Sequence, residues 1–249
     1  MEETKAPGFS PESKPTTNNS HLDLRFLQTY MFVSKKTALV FCNVSQAHTL
    51  EYADIFTLYF NLSKNVCADA LTLDACYQFM HPHDAQHIRR LHSFARNFFN
   101  NLAQHHRSRY KFIAHCRLQG VDKQYQTYLI EVVVAANNTE GNIDKLLIKV
   151  MPFALPTDDF TAFGFVLNTS KMKVIPSPDA IQTKPYYLIT PKEFKIAILL
   201  NQHYKQSEVA QQLFCSQHTI RNHCINMIKR TNMRNMNMLL IYLYHIGLL

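Results

Sequence analysis

The stretch that most constrains the fold lies near the C-terminus, at residues 207–231, and reads SEVAQQLFCSQHTIRNHCINMIKRT. Its pattern predicts a short helix, a tight turn and a longer second helix. Apolar residues recur in the second helix at i, i+4, i+7 and i+8, which forms one buried stripe: Ile220, Cys224, Met227 and Ile228. Ser216 precedes this helix, and its hydroxyl is expected to accept the free amide of Thr219 as an N-cap.

The opposite side of the second helix is polar and basic. Arg221, Asn222, Ile225 and Lys229 lie one residue further round and are expected to face outward. A helix that is fixed at its N-terminus and presents Arg, Asn and Lys suits the major groove of DNA. The same pattern is also typical of a solvated amphipathic helix at the edge of a helical domain, because a basic face by itself is a weak signal.

The positive charge of the chain is concentrated in the same region. The chain has 249 residues and a formal net charge of +8 at pH 7. Residues 184–249 hold eight Lys or Arg and two Asp or Glu, giving +6, whereas residues 1–183 hold eighteen and sixteen, giving +2. Solubility would explain a general excess of charge but not this concentration, which favours a polyanionic partner.

Composition and cysteine usage narrow the class of protein. A hydrophobic content of 47% and a charged content of 18% are ordinary for a globular protein with one large domain or two small ones. The six cysteines show no C-x-x-C, which favours reduced, mostly buried thiols in an intracellular chain, although an even count leaves disulfides open. The sequence shows neither a signal-peptide pattern nor a membrane-spanning apolar run, so we expect a cytoplasmic protein without a membrane partner.

The first third of the chain predicts a tail followed by short elements. Residues 1–20, rich in Pro, Ser, Thr and Asn, predict a disordered tail. Leu22–Val33 predicts a leading helix, and the β-branched run Thr37–Val44 predicts a strand. The period of Tyr52–Leu62 does not decide between strand and helix, whereas Thr72–Met80 predicts a helix.

A long helix is predicted from about Ala85 to Ala103. It follows His81-Pro82-His83-Asp84, where proline disfavours helix in the residue before it and Asp84 is expected to cap the new helix. Its apolar residues share one side: Ile88, Leu91, Ala95, Phe98, Phe99 and Leu102.

Strand patterns dominate the middle of the chain. Arg109–Leu118, Tyr125–Val134 and Ile143–Phe153 predict an antiparallel meander, because turn residues separate them. A short pair, Phe163–Asn168 and Lys171–Ile175, is expected to extend or follow it. Three prolines then predict a stiff linker before the basic region: Pro176, Pro178 and Pro185.

Small helices, a long helix and three antiparallel strands resemble a PAS domain over roughly residues 25–155. The resemblance depends on His81-Pro82-x-Asp84 before the long helix and on hairpins that contain Gly120 and Gly141. Tyr128 stands where the family commonly has Trp. The resemblance implies a small-molecule ligand in the groove between sheet and helices and a tendency to dimerise, but it names no cofactor.

From Leu188 onward the chain resembles the LuxR-type helix-turn-helix family without a gap. Thr190-Pro191-Lys192-Glu193 predicts a capping box at the start of the first helix. Glu208-Val209-Ala210 matches the scaffold helix, and Thr219-Ile220-Arg221 matches the start of the recognition helix. His203 stands where a turn glycine is common, so it is expected to adopt a positive φ.

The resemblance implies a set of DNA-binding residues: Thr219, Arg221, Asn222, His223, Ile225, Lys229 and Arg230. Arg221 and Asn222 are expected to read bases, since Arg pairs with guanine and Asn with adenine, each worth about 1–3 kcal/mol of discrimination. Ile225 is expected either to touch a thymine methyl or to be an apolar surface residue. Thr219 and His223 are expected to contact phosphate or to pack locally.

The last predicted helix, Asn237–His245, corresponds to the helix that forms the dimer contact in the family. The residues implied for that contact are Leu239, Leu240, Leu243 and Ile246.

Catalytic and metal-binding patterns find little support. The chain has five glycines and shows no Gly-rich phosphate loop, nucleophile elbow or paired carboxylates, so we do not expect an enzyme. Thirteen histidines include the cluster His81, His83 and His87, but none has the spacing of a known zinc site. The sequence therefore predicts neither catalytic nor metal-ligating residues.

These patterns together predict an α+β protein with four segments. Residues 1–20 form a tail, 21–155 a PAS-like sensor domain, 156–185 a linker or hairpin, and 186–249 an all-α, four-helix LuxR-type domain. We expect a homodimeric transcription regulator that binds double-stranded DNA, with RNA polymerase as a further candidate partner. Two alternatives stay open: a binding module that uses its basic helices for partner docking, and an enzyme with a His/Cys metal site.

Overall fold

The computed structural model describes residues 37–44, 49–52, 72–120, 122–153, 161–180 and 186–249. Its strands form one antiparallel sheet in the order β2-β1-β5-β4-β3-β6-β7-β8. The strands are β1 (Ala38–Asn43), β2 (Thr49–Tyr52), β3 (Tyr110–Gln119), β4 (Tyr125–Asn137), β5 (Ile143–Pro152), β6 (Phe163–Asn168), β7 (Lys173–Pro176) and β8 (Tyr186–Tyr187). The predicted tail, the predicted helix at 22–33 and most of the 52–62 stretch lie outside the described residues.

The described helices fall into two groups, before and after the main strands. The first group is α1 (Leu73–Cys76), a 3₁₀ turn (Tyr77–Phe79), α2 (Pro82–Asn100) and α3 (Gln104–Arg107). The second group is α4 (Pro191–Asn201), α5 (Gln206–Gln212), α6 (Gln217–Thr231) and α7 (Met236–His245). None of these helices has both the length and the apolar character that a bilayer crossing requires.

The predicted meander is confirmed. Strand β3 pairs with β4 and β4 with β5, and the turn residues between them hold the hairpins, with Gly141 at φ 83°. The predicted short pair extends the sheet, because β6 adds to the free edge of β3 with Phe112 opposite Val166. The predicted strand at 37–44 is also confirmed, and it pairs with β5 on the other side.

The predicted start of the long helix is wrong. Helix α2 begins at Pro82, and its N-cap is His81, whose ring Nδ1 accepts the amide of His83 at 3.3 Å. Proline suits the first position of a helix, since the amide it lacks would have no partner there, and it restricts only the residue before it. Asp84 therefore lies inside the first turn and caps nothing; its carboxylate binds Arg117 instead.

The sheet is buried on both faces. Side chains alternate along a strand, so Phe112, Ala114 and Cys116 of β3 join one core while Ile113 joins the other. The first core lies under α2 and includes Ile88 and other residues of its predicted apolar side. The second core is shared with α4–α7.

The fold is therefore α+β, as predicted: a PAS-like antiparallel sheet with flanking helices, followed by four helices. Strand β8 precedes α4 and pairs with β7, so the chain leaves the sheet directly into the helical region. The segment boundaries remain predictions, since the second core runs without interruption from the sheet into the helices.

Candidate nucleic-acid interface

Helices α5 and α6 form the predicted helix-turn-helix. Ser216 has extended backbone angles, and its Oγ accepts the amide of Thr219 at 3.0 Å, so the predicted N-cap is confirmed. At the other end Asn232 adopts the left-handed conformation with φ 53°, which asparagine tolerates well at a helix C-terminus. Helix α6 is thus fixed at both ends by its own sequence.

The two sides of α6 match the predicted division. Ile220, Cys224 and Met227 are buried in the second core, and Ile228 is partly buried. The opposite side is exposed and carries these residues: Arg221, Asn222, Ile225 and Lys229. No side chain in the described part of the chain forms an ion pair with Arg221 or Lys229. We call this side the basic face.

A buried carboxylate ties α4 to α6. Glu193, only 2% exposed, completes the predicted capping box, because its Oε2 accepts the amide of Thr190 at 2.6 Å. The same carboxylate receives two hydrogen bonds from the guanidinium of Arg230, at 2.7 and 3.1 Å. Burial raises the pKa of Glu193, but the bonds from Arg230 and Thr190 outweigh it and hold this pKa below its usual value.

Four residues of the implied DNA-binding set have partners inside the protein, and one of them is Asn222, whose Nδ2 lies 3.1 Å from His218 Nε2. Arg230 binds Glu193, and His223 Nδ1 lies 4.0 Å from the same carboxylate. Thr219 Oγ1 lies 2.8 Å from Ser216 Oγ. Sequence reasoning assigned Glu193 to the capping box alone and missed its pair with Arg230, since no local pattern connects residues 37 positions apart.

Two turns of the helical region, besides the end of α6, hold a non-glycine residue at positive φ. His203, after α4, has φ 68°, which confirms the predicted positive φ. Phe214, in the turn between α5 and α6, has φ 50° and is 96% exposed. A bulky residue in the left-handed region is disfavoured, and an aromatic ring this exposed makes no use of its apolar surface within the chain.

Helix α7 buries residues implied for a dimer contact in the second core. Leu239, Leu243 and Ile246 are fully buried in the second core, and Leu240 is partly buried. The exposed apolar residues of α7 are Ile241 and Tyr244, at 47% and 64%. The dimer contact stays a prediction, and in this arrangement three of its four residues are covered by the chain itself.

Two lysines of the sheet hold the C-terminal end of α7. Lys111 Nζ donates to the carbonyl of Ile246 at 3.3 Å, and Lys149 Nζ donates to the carbonyl of His245 at 3.0 Å. Glu131 lies between the lysines, 2.7 Å from Lys111 Nζ. Cations at a helix C-terminus satisfy free carbonyls and oppose the negative end of the helix dipole. The contact therefore fixes the end of α7 to β3 and β5.

A buried histidine lies beside these lysines on the same face of the sheet. His115 is fully buried, stacks on Phe163 with ring centroids 4.5 Å apart, and lies 3.4 Å from the hydroxyl of Tyr242 on α7. Burial lowers the pKa of His115 to about 3, so the ring is neutral at physiological pH. It acts as a neutral hydrogen-bonding group in the contact between sheet and helix.

The opposite face of the sheet encloses a cavity of about 220 Å³ beneath α2. Most of the side chains that line it are apolar, and the polar residues among them include His92, Arg96 and Asn100. Within the described residues, no group of three or more His, Cys, Asp or Glu side chains could hold a metal ion.

No protein-family model and no curated protein matches the sequence. Solved structures do match. The VqmA dimer of Vibrio cholerae, described with the LuxR-type receptors, shares 11% identity over 89% of this chain and 88% of that chain, with a TM-score of 0.34. Escherichia coli SdiA shares 12% identity, covers 90% of each chain and has a TM-score of 0.28.

A third match covers a smaller share of the chain. A sensory box histidine kinase/response regulator from Burkholderia thailandensis shares 11% identity over 51% of this chain and 82% of that chain, with a TM-score of 0.36. These identities and TM-scores are too low to carry an argument about function, which therefore depends on the residues of this chain.

Proposed function

We propose that this protein is a sequence-specific DNA-binding transcription regulator in which a PAS-like sensor unit controls a helix-turn-helix that enters the major groove. The protein acts as a homodimer, and its two α6 helices meet half-sites about one helical turn of DNA apart. Its ligand is a small molecule held in the cavity under α2.

The observation that carries the proposal is the basic face of α6. Arg221 and Asn222 lie near the fixed N-terminal end of the helix, where side chains of a recognition helix contact base edges. Arg221 has the donor geometry for guanine and Asn222 for adenine, while Lys229 suits phosphate. The hydrogen bond from Arg230 to Glu193 supports these roles, because it fixes the orientation of α6 and therefore of its basic face.

The two faces of the sheet supply a route from ligand to DNA. Phe112 lines the cavity, and the next residue, Ile113, lies in the core shared with α4–α7. A ligand that shifts β3 would therefore act on the contact between β3 and α7 made by Lys111 and His115. Since packed interfaces rearrange between discrete states, such a shift can change the position of the basic face.

The test is binding of the full chain to a library of genomic DNA fragments at two salt concentrations, followed by Arg221→Ala on the selected fragment. We expect affinity to fall steeply with salt, because Lys and Arg release counterions from phosphates. Arg221→Ala should weaken specific binding by about 1–3 kcal/mol. Lys229→Ala should weaken binding to all sequences alike and reduce the salt slope by about 1.

The matched control is Arg90→Ala, since Arg90 is an exposed arginine of α2 whose ion pair with Asp179 is also exposed. It should leave both affinity and salt slope at the wild-type values. Equal binding by wild type and Arg221→Ala, without a salt slope, would contradict the proposal.

Phe214 favours a second candidate, a protein-docking module. Its ring is 96% exposed in the turn before α6. A protein partner such as RNA polymerase would cover this ring. Phe214→Gly, which suits φ 50°, should leave DNA affinity unchanged under the first proposal. Loss of partner capture with no DNA binding by wild type would favour the second.

A further inference from the structure

The cavity under α2 has the size of a compact ligand. An enclosed apolar cavity of about 150 Å³ holds one benzene, so about 220 Å³ accommodates a substituted ring or a short acyl chain. Pockets for drug-sized molecules are larger, about 300–1,000 Å³. The walls that the structure describes are mainly Val, Leu, Ile, Phe and Met side chains, such as Val40, Phe79, Met80, Ile130 and Ile148.

The polar groups of the cavity lie in one row. His92, Arg96 and Asn100 are spaced at i, i+4 and i+8 on α2, so they follow one another along the same side of the helix. The hydroxyl of Tyr77 lies 2.6 Å from His92 Nδ1 and fixes the ring. His92 Nε2 is buried and has no hydrogen-bond partner among the described residues. Arg96 and Asn100 of this row are exposed residues that also line the cavity, so the polar end of a ligand would lie beside them.

Arg96 supplies the charge of the row. Arg96 is exposed to solvent and also lines the cavity, so we place it at the mouth of the cavity. No ion pair engages it within the part of the chain that the structure describes. Burial, and after it the positive charge of Arg96, lowers the pKa of His92 to about 4. The His92 ring is therefore neutral at physiological pH, and Arg96 carries the positive charge of the row. A guanidinium presents a planar set of donors that fits a carboxylate.

The nearby thiol does not suggest covalent capture. Cys76 lines the cavity, but its pKa is raised to about 12. Burial is the main cause of this rise, and the neighbouring thiol of Cys42 adds to it. The thiolate is the reactive form, and it is scarce at neutral pH when the pKa is this high. The cavity is therefore suited to reversible binding.

We propose that the cavity binds a small, mainly apolar carboxylic acid, either a substituted ring or a short acyl chain, whose carboxylate pairs with Arg96 at the mouth while its apolar body fills the space between α2 and the sheet. The inference rests on the proposed function in one respect, namely that the sheet and α2 form the sensor unit.

The experiment compares three probes of nearly equal size, benzoate, benzamide and toluene, by calorimetry on the full chain without DNA. Benzoate should bind more tightly than benzamide, and benzamide at least as tightly as toluene. Arg96→Met keeps the apolar stem of the side chain and removes its charge. It should weaken the affinity for benzoate by about tenfold or more and the affinity for toluene by less than about threefold.

Two further variants complete the design. Arg90→Met changes an exposed arginine of the same helix that does not line the cavity, and it should bind benzoate as wild type does. Val132→Phe places a ring inside the cavity and should abolish binding of all three probes, with circular dichroism used to verify its fold. Toluene binding as tight as benzoate binding, an Arg96→Met variant with unchanged benzoate affinity, or no binding of any probe would each overturn the inference.

The same preparations are then tested on DNA. Absence of benzoate binding together with salt-dependent DNA binding overturns the ligand class and leaves the proposed function standing. Benzoate binding that depends on Arg96, together with no DNA binding, overturns the proposed function and leaves the ligand class standing.

Discussion

Two helices of this protein begin with the same short pattern and use its acidic residue differently. Helix α2 starts at His81–Asp84 and helix α4 at Thr190–Glu193. Each has a capping side chain, a proline at the first helical position and an acidic residue two positions later. Both acidic residues are 2% exposed, and both bind an arginine from a distant element.

The two carboxylates differ in what they bind besides the guanidinium. Glu193 reaches back to the amide of Thr190, at 2.6 Å. Asp84 instead accepts the backbone amide of Arg117 at 2.8 Å together with its guanidinium, at 3.0 and 2.5 Å. Aspartate is one methylene shorter, and the amide of its N-cap, His81, already donates to the carbonyl of Arg117 at 2.9 Å.

The difference shows that one local pattern can serve two tertiary purposes. The pattern sets where each helix begins, because capping and proline act within the first turn. The partner decides what the acidic residue joins: Asp84 ties α2 to strand β3, whereas Glu193 ties α4 to α6. The first contact holds α2 on the sheet, and the second supports the basic face.

The largest expected effect is that of Arg117→Met. It leaves the Asp84 carboxylate buried without its cation, and breaking a buried pair in this way costs about 3–5 kcal/mol. We expect the free energy of unfolding to fall by about 3 kcal/mol, as measured by urea denaturation of the full chain. Arg90→Met, which breaks an exposed pair, should cost less than about 1 kcal/mol. A loss below about 1 kcal/mol for Arg117→Met would mean that the pair with Asp84 contributes little.

The next effect separates the two pairs by function. Asp84→Asn and Glu193→Gln are isosteric, and each leaves an arginine that water can reach, with side-chain exposures of 25% and 29%. We expect each to cost about 1–3 kcal/mol, the range for a hydrogen bond to a charged group. Under the proposed function only Glu193→Gln should weaken DNA binding in the folded protein, because Arg230 then holds α6 less firmly. Equal DNA affinities for both variants would show that Glu193 does not position the basic face.

The smallest effect is a difference in acid stability. The pKa of Glu193 is raised by burial but lowered further by its hydrogen bonds, so in the folded state it lies below the unfolded value of about 4.5. Its stabilisation is therefore complete above about pH 4.5 and is lost as pH falls through the folded pKa. When the pH is lowered from about 6 to about 3, the free energy of unfolding of wild type should fall by more than that of Glu193→Gln. The difference between the two losses should be smaller than the stability that the substitution itself removes at neutral pH. Parallel pH profiles from urea denaturation would contradict the assignment.

Much of the fold could be predicted from the sequence, since its signals act within a few residues. The capping box at Thr190 and the N-cap at Ser216 were predictable from local chemistry, and the positive φ of His203 from the family resemblance. The meander followed from alternating strands and turn residues. The start of α2 was mispredicted because the proline was weighed only as a helix breaker, although it suits the first helical position.

The candidate site was predictable only in part. Periodicity gave the buried and exposed sides of α6, and the structure confirms that Arg221 and Asn222 face outward. Periodicity did not show that Arg230 faces Glu193, because that contact depends on how α4 crosses α6. The roles of the outward residues on DNA remain predictions.

By itself the sequence determined where most of the described elements lie and which side of α2 and of α6 would be buried, because capping, turn chemistry and side-chain period act over three or four residues. The tertiary structure alone decided the pairing of Asp84 with Arg117, 33 residues away, and the burial of Leu239 and Leu243 in the second core. It also decided that His92 and Arg96 line a cavity. Such contacts depend on how distant elements are placed against one another, and only the packed chain sets that placement.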